Sequence, residues 1–372
     1  MNIKTDQINF AVGPVQISKD ISKIGAEAVP YFRTSEFSAL MKENEKLMKY
    51  FVHAEENSRC VFLTGSGTAA MEAAVINLFH KKDKLLIVNG GSFGHRFCEI
   101  CDVYGLNYEA INLAYGETLT RNRLYQYAHK GHTGMLINMH ETSTGVLYDM
   151  NMVGAFCKEN SISLVVDAIS SFIADPLDMT EIGADIVLTG SQKALAVPPG
   201  VSIVILSERA CRKIQESQDV CYYLSLKNAL KNGERGQTPF TPAVGILIQL
   251  NARLNAIYAH GFIEEQRQIA EIAEYFRRRI KKYPFRMFSS TPSNALTALS
   301  AIDQTISAHN IFEILKDEYN IIICPNGGEL ADKVFRVGHI GSLTIGDNEK
   351  LFAAFDSLIE RGILQVRNEI QQ

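Results

Sequence analysis

A chain of 372 residues with 46% hydrophobic and 21% charged residues has the composition of a globular protein large enough for two domains. Its formal net charge of -4 gives no reason to expect a nucleic acid as partner. The start lacks the basic and apolar segments of a signal peptide, and no apolar run approaches the roughly 20 residues of a membrane helix. The seven scattered cysteines favour reduced thiols in the cytoplasm over a disulfide framework. No pattern predicts a metal site.

The first part of the chain alternates short apolar runs with helical stretches. Strands are predicted at 60–63, 85–88, 135–137, 164–166, 186–188 and 201–206. Helices are predicted near 69–79, 96–104 and 152–159. Apolar runs without alternation are typical of strands buried on both faces. The alternation of strand and helix therefore predicts an α/β domain built on a mostly parallel sheet.

The pattern changes after residue 242. Two long helical patterns cover 244–261 and 262–283, and short strands are predicted near 295–299 and 334–337. We therefore predict three parts, namely an N-terminal segment of residues 1–20, a large domain of residues 21–245 and a small C-terminal domain of residues 246–372.

Two further features are interpreted as structural. The basic run at 277–282 follows a helical stretch and is predicted to be the solvated end of that helix. Cys98 and Cys101 form a C-x-x-C pair inside a predicted helix. A redox pair belongs at the start of a helix after a strand, so we expect these cysteines to serve packing.

A Gly-rich segment, Thr64-Gly65-Ser66-Gly67-Thr68, lies between a predicted strand and a predicted helix. Backbone N–H groups and the positive end of the helix dipole can bind an anion there. The segment is neither a Walker loop nor the G-x-G-x-x-G dinucleotide fingerprint. By itself it fits a phosphate site or a plain turn.

Two charged residues follow later strands of the same predicted sheet. Asp167 ends the strand at 164–166, where ligands bind in parallel sheets, although an Asp there equally suits a helix N-cap. Lys193 follows the strand at 186–188 and has no charged neighbours in sequence. Such surroundings lower the pKa of a lysine and suit it to Schiff-base formation.

These three features together match the needs of one cofactor. Pyridoxal 5′-phosphate (PLP) requires a cradle for its phosphate, a carboxylate for its pyridine nitrogen and a lysine for its aldehyde. Each candidate lies at the carboxyl end of a predicted parallel strand. The sequence therefore predicts a PLP enzyme in which Lys193 and Asp167 are the catalytic residues.

The motifs that carry a family resemblance are spread over most of the chain. The strongest are Gly65-Ser66-Gly67-Thr68, His140-Glu141-Thr142-Ser143-Thr144-Gly145, Val166-Asp167-Ala168, Gly190-Ser191-Gln192-Lys193-Ala194-Leu195 and Phe335-Arg336-Val337-Gly338. In this order and spacing the chain resembles the class V aminotransferases of fold type I, in the branch of the alanine–glyoxylate, serine–glyoxylate and 2-aminoethylphosphonate–pyruvate enzymes. The resemblance implies a mostly parallel seven-stranded sheet between helices, a smaller C-terminal α+β domain, and an N-terminal segment near the active site.

The resemblance also implies contacts to PLP. Lys193 would hold the cofactor and move protons, and Asp167 would pair with the pyridine nitrogen. The other cofactor contacts would come from Ser66, Gly67, Thr68 and Gln192 at the phosphate, from Phe93 and Ile169 on the two faces of the ring, and from Ser143 near the phenolic oxygen. A threonine of the partner subunit would complete the phosphate site, and Thr241 matches it better than Thr238. The resemblance thus implies a homodimer with shared active sites.

The substrate side is less closely defined. Arg336 would bind the α-carboxylate, since a planar guanidinium forms two hydrogen bonds to a carboxylate. Gly13 would line the pocket, but this chain has Ala11-Val12-Gly13-Pro14 where the relatives open with Gly-Pro-Gly-Pro, which leaves the donor open. The implied reaction moves an amino group from a small donor, such as alanine, serine or an aminoethylphosphonate-like amine, to a short 2-oxo acid such as glyoxylate or pyruvate.

Four polar residues near these motifs carry weaker expectations. His140 and Glu141 look catalytic in isolation, but the resemblance places them beneath the site, so we interpret them as structural. Arg33 and His339 fit either the edge of the site or a structural role.

Two alternative functions stay open at this point. A PLP-dependent lyase of the cysteine desulfurase type would need a nucleophilic cysteine shortly before Arg336, where Cys324 lies, but Gln192 stands where desulfurases have histidine. A non-catalytic protein of the same fold would be expected to have lost Lys193 or Asp167, and both are present.

Overall fold

The computed structural model describes residues 6–302 and 306–365 of the chain. Up to the middle of the chain the elements are β1 (Ile8–Asn9), α1 (Lys19–Gly25), α2 (Ser35–Phe51), β2 (Arg59–Thr64), α3 (Gly67–Leu78), β3 (Lys84–Asn89), α4 (Ser92–Tyr104), β4 (Asn107–Asn112), α5 (Arg121–Tyr125), β5 (Gly134–Asn138), β6 (His140–Glu141), β7 (Val146–Leu147), α6 (Met150–Glu159) and β8 (Ser163–Asp167). The remaining elements are β9 (Ile186–Gly190), β10 (Val201–Leu206), α7 (Glu208–Glu216), α8 (Leu226–Gly233), α9 (Val244–His260), α10 (Phe262–Ile280), β11 (Phe285–Met287), β12 (Leu296–Ala301), α11 (Ala308–Tyr319), β13 (Ile321–Ile322), β14 (Cys324–Pro325), β15 (Val334–Gly338) and α12 (Ile345–Glu360).

A seven-stranded sheet forms the centre of the molecule, in the order β2-β10-β9-β8-β5-β3-β4. Only β10 runs antiparallel to its neighbours, so the mostly parallel sheet expected from the sequence is confirmed. Every residue of β5, β9 and β10 is buried. Helices cover both faces of the sheet, which explains why its strands read as continuous apolar runs. The edge strand β4 is less buried and carries polar residues. It therefore has no continuous apolar run, and the sequence did not predict it.

A smaller antiparallel sheet in the order β11-β12-β15-β14 lies in the C-terminal part. Its core is aromatic and includes Phe276, Phe335, Phe352 and Phe355, which are fully buried. The N-terminal strand β1 pairs with β13, so the start of the described chain is tied to this part. The buried side chains of α9 pack with the core of the large sheet instead. The division at residue 245 stays a prediction.

Local differences from the sequence predictions have physical reasons. Helix α4 begins at Ser92, four residues before the predicted start, because Gly91 ends the preceding turn. The basic run is only partly solvated. Arg278 is exposed, but Arg277 turns inward and donates from Nε to Thr297 Oγ1 over 3.1 Å, so the prediction was wrong for that residue. Cys98 and Cys101 are buried within α4, as expected. Among the described helices, none has the length and apolarity to cross a membrane.

Candidate active site

The predicted catalytic residues converge at the carboxyl edge of the large sheet. Asp167 is the last residue of β8, and Lys193 follows the end of the adjacent parallel strand β9 by three positions. The Gly-rich segment joins β2 to α3 and is tied to the loop before β10, since Gly65 N donates to Gly200 O over 2.9 Å. Strand topology therefore brings together three segments that are far apart in sequence.

Lys193 lies in a closed environment. Its side chain is buried, and Nζ donates to the carbonyl of Val12 over 2.6 Å. Burial, followed by the positive charge of Arg336, lowers the pKa of Lys193 to about 8. A Cβ at Gly13 would lie 2.7 Å from Lys193 Cδ, so the lysine needs glycine at that position. The lowered pKa leaves a larger fraction of Lys193 as the neutral amine near physiological pH than an exposed lysine has.

Asp167 is a buried carboxylate with spare hydrogen-bonding capacity. Its Oδ1 accepts from the backbone N of Ile169 over 2.8 Å. Burial raises the pKa of Asp167 to about 6, and the hydrogen bond from Ile169 opposes that rise. The carboxylate is therefore ionised at neutral pH in an environment that disfavours its charge, which makes it a good partner for a cationic ring nitrogen.

The Gly-rich segment leads into the start of helix α3. Ser66 is the N-cap of α3, and its side chain makes no capping hydrogen bond. The first backbone N–H groups of a helix have no partner within it and point outward. Gly67 packs beneath Ile169, where a Cβ would lie 2.5 Å from Ile169 Cδ1. Thr68 Oγ1 accepts from Arg96 Nη1 over 3.3 Å.

Gln192 lies directly before Lys193 and is partly buried. Its carbonyl accepts from the backbone N of Val15 over 3.1 Å, which ties the N-terminal segment to the lysine loop. Its side chain lies against Gly190. A contact from Gln192 to a bound phosphate stays a prediction.

Phe93 lies in the first turn of α4 and is half-buried. The turn is held by Glu141, which accepts from the backbone N of Gly94 over 2.9 Å and from Asn138 Nδ2 over 3.0 Å. Glu141 therefore has the structural role expected for it. Ser143 serves the same turn, since its Oγ accepts from the backbone N of Ser92 over 3.1 Å and donates to Glu141.

Thr142, the neighbour of Ser143, is a site residue that sequence reasoning missed. Its Oγ1 pairs with Ser170 Oγ over 2.7 Å, and Ser170 Oγ pairs with His140 Nδ1 over 2.9 Å. The carbonyl of Thr142 accepts from Arg336 Nη1 over 3.2 Å. Burial, followed by Lys193, lowers the pKa of His140 to about 3, so His140 is a neutral support beneath the site. The contacts of Thr142 with Ser170 and Arg336 are long-range, so the motif that contains Thr142 did not reveal this role.

Arg336 reaches the site from β15 of the small sheet. It is buried, its Nη2 donates to Pro325 O over 2.9 Å, and its Nε has no partner among the described residues. Cys324 Sγ lies 3.2 Å from the same Nη2, and Cys324 pairs with Arg336 across the β14–β15 ladder. This cysteine sits in a short strand beside the arginine, whereas the lyase alternative needs it on a loop.

Four predicted or possible site residues are exposed or make their hydrogen bonds outside this cluster. Thr241 is exposed, and Thr238 Oγ1 donates to the carbonyl of Phe240 over 2.7 Å. Arg33 donates to Thr238 O over 3.0 Å. His339 is fully buried and pairs through Nε2 with Thr297 Oγ1 over 2.8 Å, which is a structural placement.

Comparisons with known proteins show the family and the fold of the chain. Residues 29–337 match the family described as aminotransferase class-V. An uncharacterized aminotransferase of Methanocaldococcus jannaschii is 30% identical over 335 residues, which cover 88% of this chain and 86% of the relative. An L-aspartate–glyoxylate aminotransferase of Paracoccus denitrificans is 28% identical, over 90% of this chain and 86% of the relative. The structure of an alanine–glyoxylate aminotransferase from Nostoc sp. is 25% identical with a TM-score of 0.90, over 96% of each chain.

Proposed function

The chain belongs to the class V aminotransferase family and is an aminotransferase, and from this premise we propose its cofactor and substrates. We propose that it uses PLP to move an amino group from a small donor, such as alanine, serine or an aminoethylphosphonate-like amine, to a short 2-oxo acid. Glyoxylate or pyruvate is the proposed acceptor. The names of the Paracoccus and Nostoc relatives support glyoxylate.

One observation carries the proposal. Lys193 is buried at the carboxyl edge of the sheet, with a lowered pKa, directly beside the strand that ends in Asp167. A buried amine with no carboxylate bonded to it is costly for a fold unless it has a chemical task. A carbonyl-binding amine next to a carboxylate that needs a cation is the arrangement that PLP chemistry uses.

The residues of the described cluster fit PLP as a ligand. Ser66, Thr68 and the first N–H groups of α3 would hold the phosphate, and Asp167 would pair with the pyridine nitrogen. Phe93 and Ile169 would cover the ring, and Gln192 and Ser143 are proposed as further contacts. Residues 21–245 would then be the cofactor-binding domain and residues 246–372 the small domain.

When bound, PLP supplies an electrophilic aldehyde and a ring that stabilises negative charge at the carbon next to it. Lys193 Nζ would hold the aldehyde until an amino donor displaces it. Lys193, whose amine has a pKa of about 8, would be the group that takes a proton from the donor's Cα and gives it back on the cofactor side. Asp167 would pair with the ring nitrogen and favour its protonated form.

Arg336 would orient the donor. A guanidinium that is buried binds a carboxylate through charge-assisted hydrogen bonds, and such bonds are stronger away from water. Because Thr142 O and Pro325 O fix the Nη groups, the guanidinium is held in place before substrate arrives. Gly13 keeps side-chain atoms away from Lys193, since a Cβ there would lie 2.7 Å from Lys193 Cδ.

We also propose a cytoplasmic homodimer in which Thr241 of one chain completes the phosphate site of the other. Tyr31 and Tyr222 are 70% and 82% exposed, and Tyr223 stacks on Phe240 at 5.2 Å next to Thr241. Large aromatic side chains that face outward in this way are typical of surfaces that bind another chain.

A half-reaction screen tests the proposed function. The purified chain is loaded with PLP and mixed with single amines, and the conversion of the cofactor's absorbance band to that of pyridoxamine phosphate is followed. We expect conversion with small amino donors and reversal on addition of glyoxylate or pyruvate. Release of sulfide from cysteine without conversion would support the lyase alternative, and failure to bind PLP would contradict the proposal.

A further inference from the structure

Arg96 is a half-buried cation that the proposed function does not yet use. It lies on α4, three residues after Phe93, and its guanidinium carbon is 4.7 Å from the centroid of the Phe93 ring. Its Nη1 donates to Thr68 Oγ1 over 3.3 Å. Within residues 6–302 and 306–365, Arg96 forms no ion pair with a carboxylate. A guanidinium has five donors, so this cation retains capacity to support a bound anion.

We propose that Arg96 is a positioning residue of the phosphate subsite, which fixes the Thr68 hydroxyl as a donor toward the cofactor phosphate and holds the Phe93 ring in place. This inference rests on the proposed function, because it assigns Arg96 to the PLP site described above.

The direction of the hydrogen bond between Arg96 and Thr68 fixes the orientation of the Thr68 hydroxyl. A guanidinium can only donate, so the Thr68 oxygen must be the acceptor in its bond to Arg96. The hydroxyl proton then points elsewhere and is free for an anion at the start of α3. Without Arg96 the hydroxyl would rotate and lose this preset direction.

Arg96 lies between two helices that each provide a proposed cofactor contact. Thr68 lies in the first turn of α3 and Phe93 in the first turn of α4, and the two helices pack against each other. Arg96 contacts both residues, so one side chain links the proposed phosphate contact to the proposed ring contact. A cation over an aromatic face is also attracted to it, which holds both groups in a fixed arrangement.

The charge of Arg96 supports the same assignment. It lowers the pKa of Asp167 and that of Lys193, and in both residues its effect is smaller than that of burial. A positive charge this close to a helix start adds to the attraction that the helix dipole exerts on a phosphate.

Cofactor affinity tests the inference without relying on activity. Dissociation constants for PLP and for pyridoxal, which lacks the phosphate, are measured by absorbance titration for the wild type, Arg96→Met, Thr68→Ala and the double variant. We expect Arg96→Met to weaken PLP binding about tenfold and pyridoxal binding much less, since the Thr68 hydroxyl loses its fixed direction toward the phosphate. Because both residues act through one hydroxyl, the double variant should bind PLP about as weakly as the weaker single variant.

Two further variants keep the test decisive. Arg96→Lys preserves the charge and should retain part of the PLP affinity, which guards against a folding defect in Arg96→Met. Arg121→Met is the matched control, because Arg121 stacks on Tyr125 at 4.5 Å on the surface helix α5 and should leave both affinities unchanged.

Three results would overturn the inference. The first is an unchanged ratio of PLP to pyridoxal affinity in Arg96→Met. The second is tighter PLP binding in that variant, which would mean that the guanidinium blocks the ring site. The third is a loss of affinity in the double variant equal to the product of the two single losses. A wild-type chain that binds neither compound would instead contradict the proposed function itself, and the inference with it.

Discussion

The cofactor half and the substrate half of the site are built in different ways. In the cofactor half, the proposed PLP contacts Thr68, Asp167 and Lys193 all lie at or just after the ends of strands of one sheet. In the substrate half, Arg336 comes from the small sheet and Gly13 from the N-terminal segment. The first half is fixed by the pairing of strands, whereas the second depends on how separate parts of the chain dock. Mutations should therefore separate the two halves.

A buried polar link holds the docking in place. Asp175, in the segment after β8, accepts from Ser293 Oγ and from the backbone N of Asn294, the latter over 2.8 Å. Arg277 donates to the carbonyl of Ser293 and to Thr297 Oγ1. Thr297 pairs with Val337, the neighbour of Arg336, across the β12–β15 ladder. The link thus connects the large sheet to the strand that carries the arginine.

The largest expected effect is in the cofactor half. Lys193→Ala removes the amine that holds the cofactor and moves the proton, so steady-state turnover should fall by at least about 10²–10⁴-fold. Turnover is measured by coupled detection of the keto product. Lys158→Ala, at an exposed position, serves as the control and should behave as wild type. Normal turnover in Lys193→Ala would contradict the assignment.

Asp167→Asn should come next in size. The variant loses the negative charge that stabilises a protonated ring nitrogen, and loss of one such electrostatic contact costs about 10²–10³-fold in kcat. It should still bind PLP, because the phosphate contacts and the lysine remain. The measurement is kcat with PLP bound, and the exposed Asp102→Asn is the control. A kcat close to wild type would mean that another group holds the ring.

Arg336→Lys probes the substrate half. The change keeps the charge but loses the paired hydrogen bonds, so KM for the amino donor should rise about tenfold or more. The dissociation constant for PLP should stay within a factor of about two, because Arg336 belongs to the other half. Both are measured on the same preparation, with Arg286→Lys, at an exposed position of β11, as control. A loss of PLP affinity as large as the rise in KM would contradict the separation of the site into a cofactor half and a substrate half.

The smallest effect should come from the polar link. Ser293→Ala leaves the buried Asp175 without its hydroxyl donor, which should lower the free energy of unfolding by about 1–3 kcal/mol. Thermal unfolding measures this change, and the exposed Ser290→Ala should leave it unaltered. We expect KM for the donor to rise a few-fold and PLP affinity to stay the same. If only PLP affinity changed, the link would serve the cofactor half.

In both halves the sequence predicts some residues and misses others. The end of an apolar run shows where a buried strand ends. Asp167 and Lys193 were predicted as site residues because they lie at or just after such ends. Thr142 and Arg96 were not, because their contacts join residues far apart in sequence and leave no local pattern. The inward turn of Arg277 was missed for a similar reason, since a basic run at the end of a helix reads the same whether it faces water or a neighbouring strand.

Covalent mapping of the cofactor tests the central claim most directly. The PLP-loaded chain is reduced with borohydride, digested and analysed by mass spectrometry, over a series of pH values at loading. We predict that the phosphopyridoxyl group is found on Lys193. The rate of loading should rise with pH to a half-maximum near 8, because the amine must lose its proton before it attacks the aldehyde. Label on any other lysine, with Lys193 unmodified, would contradict this account of the site.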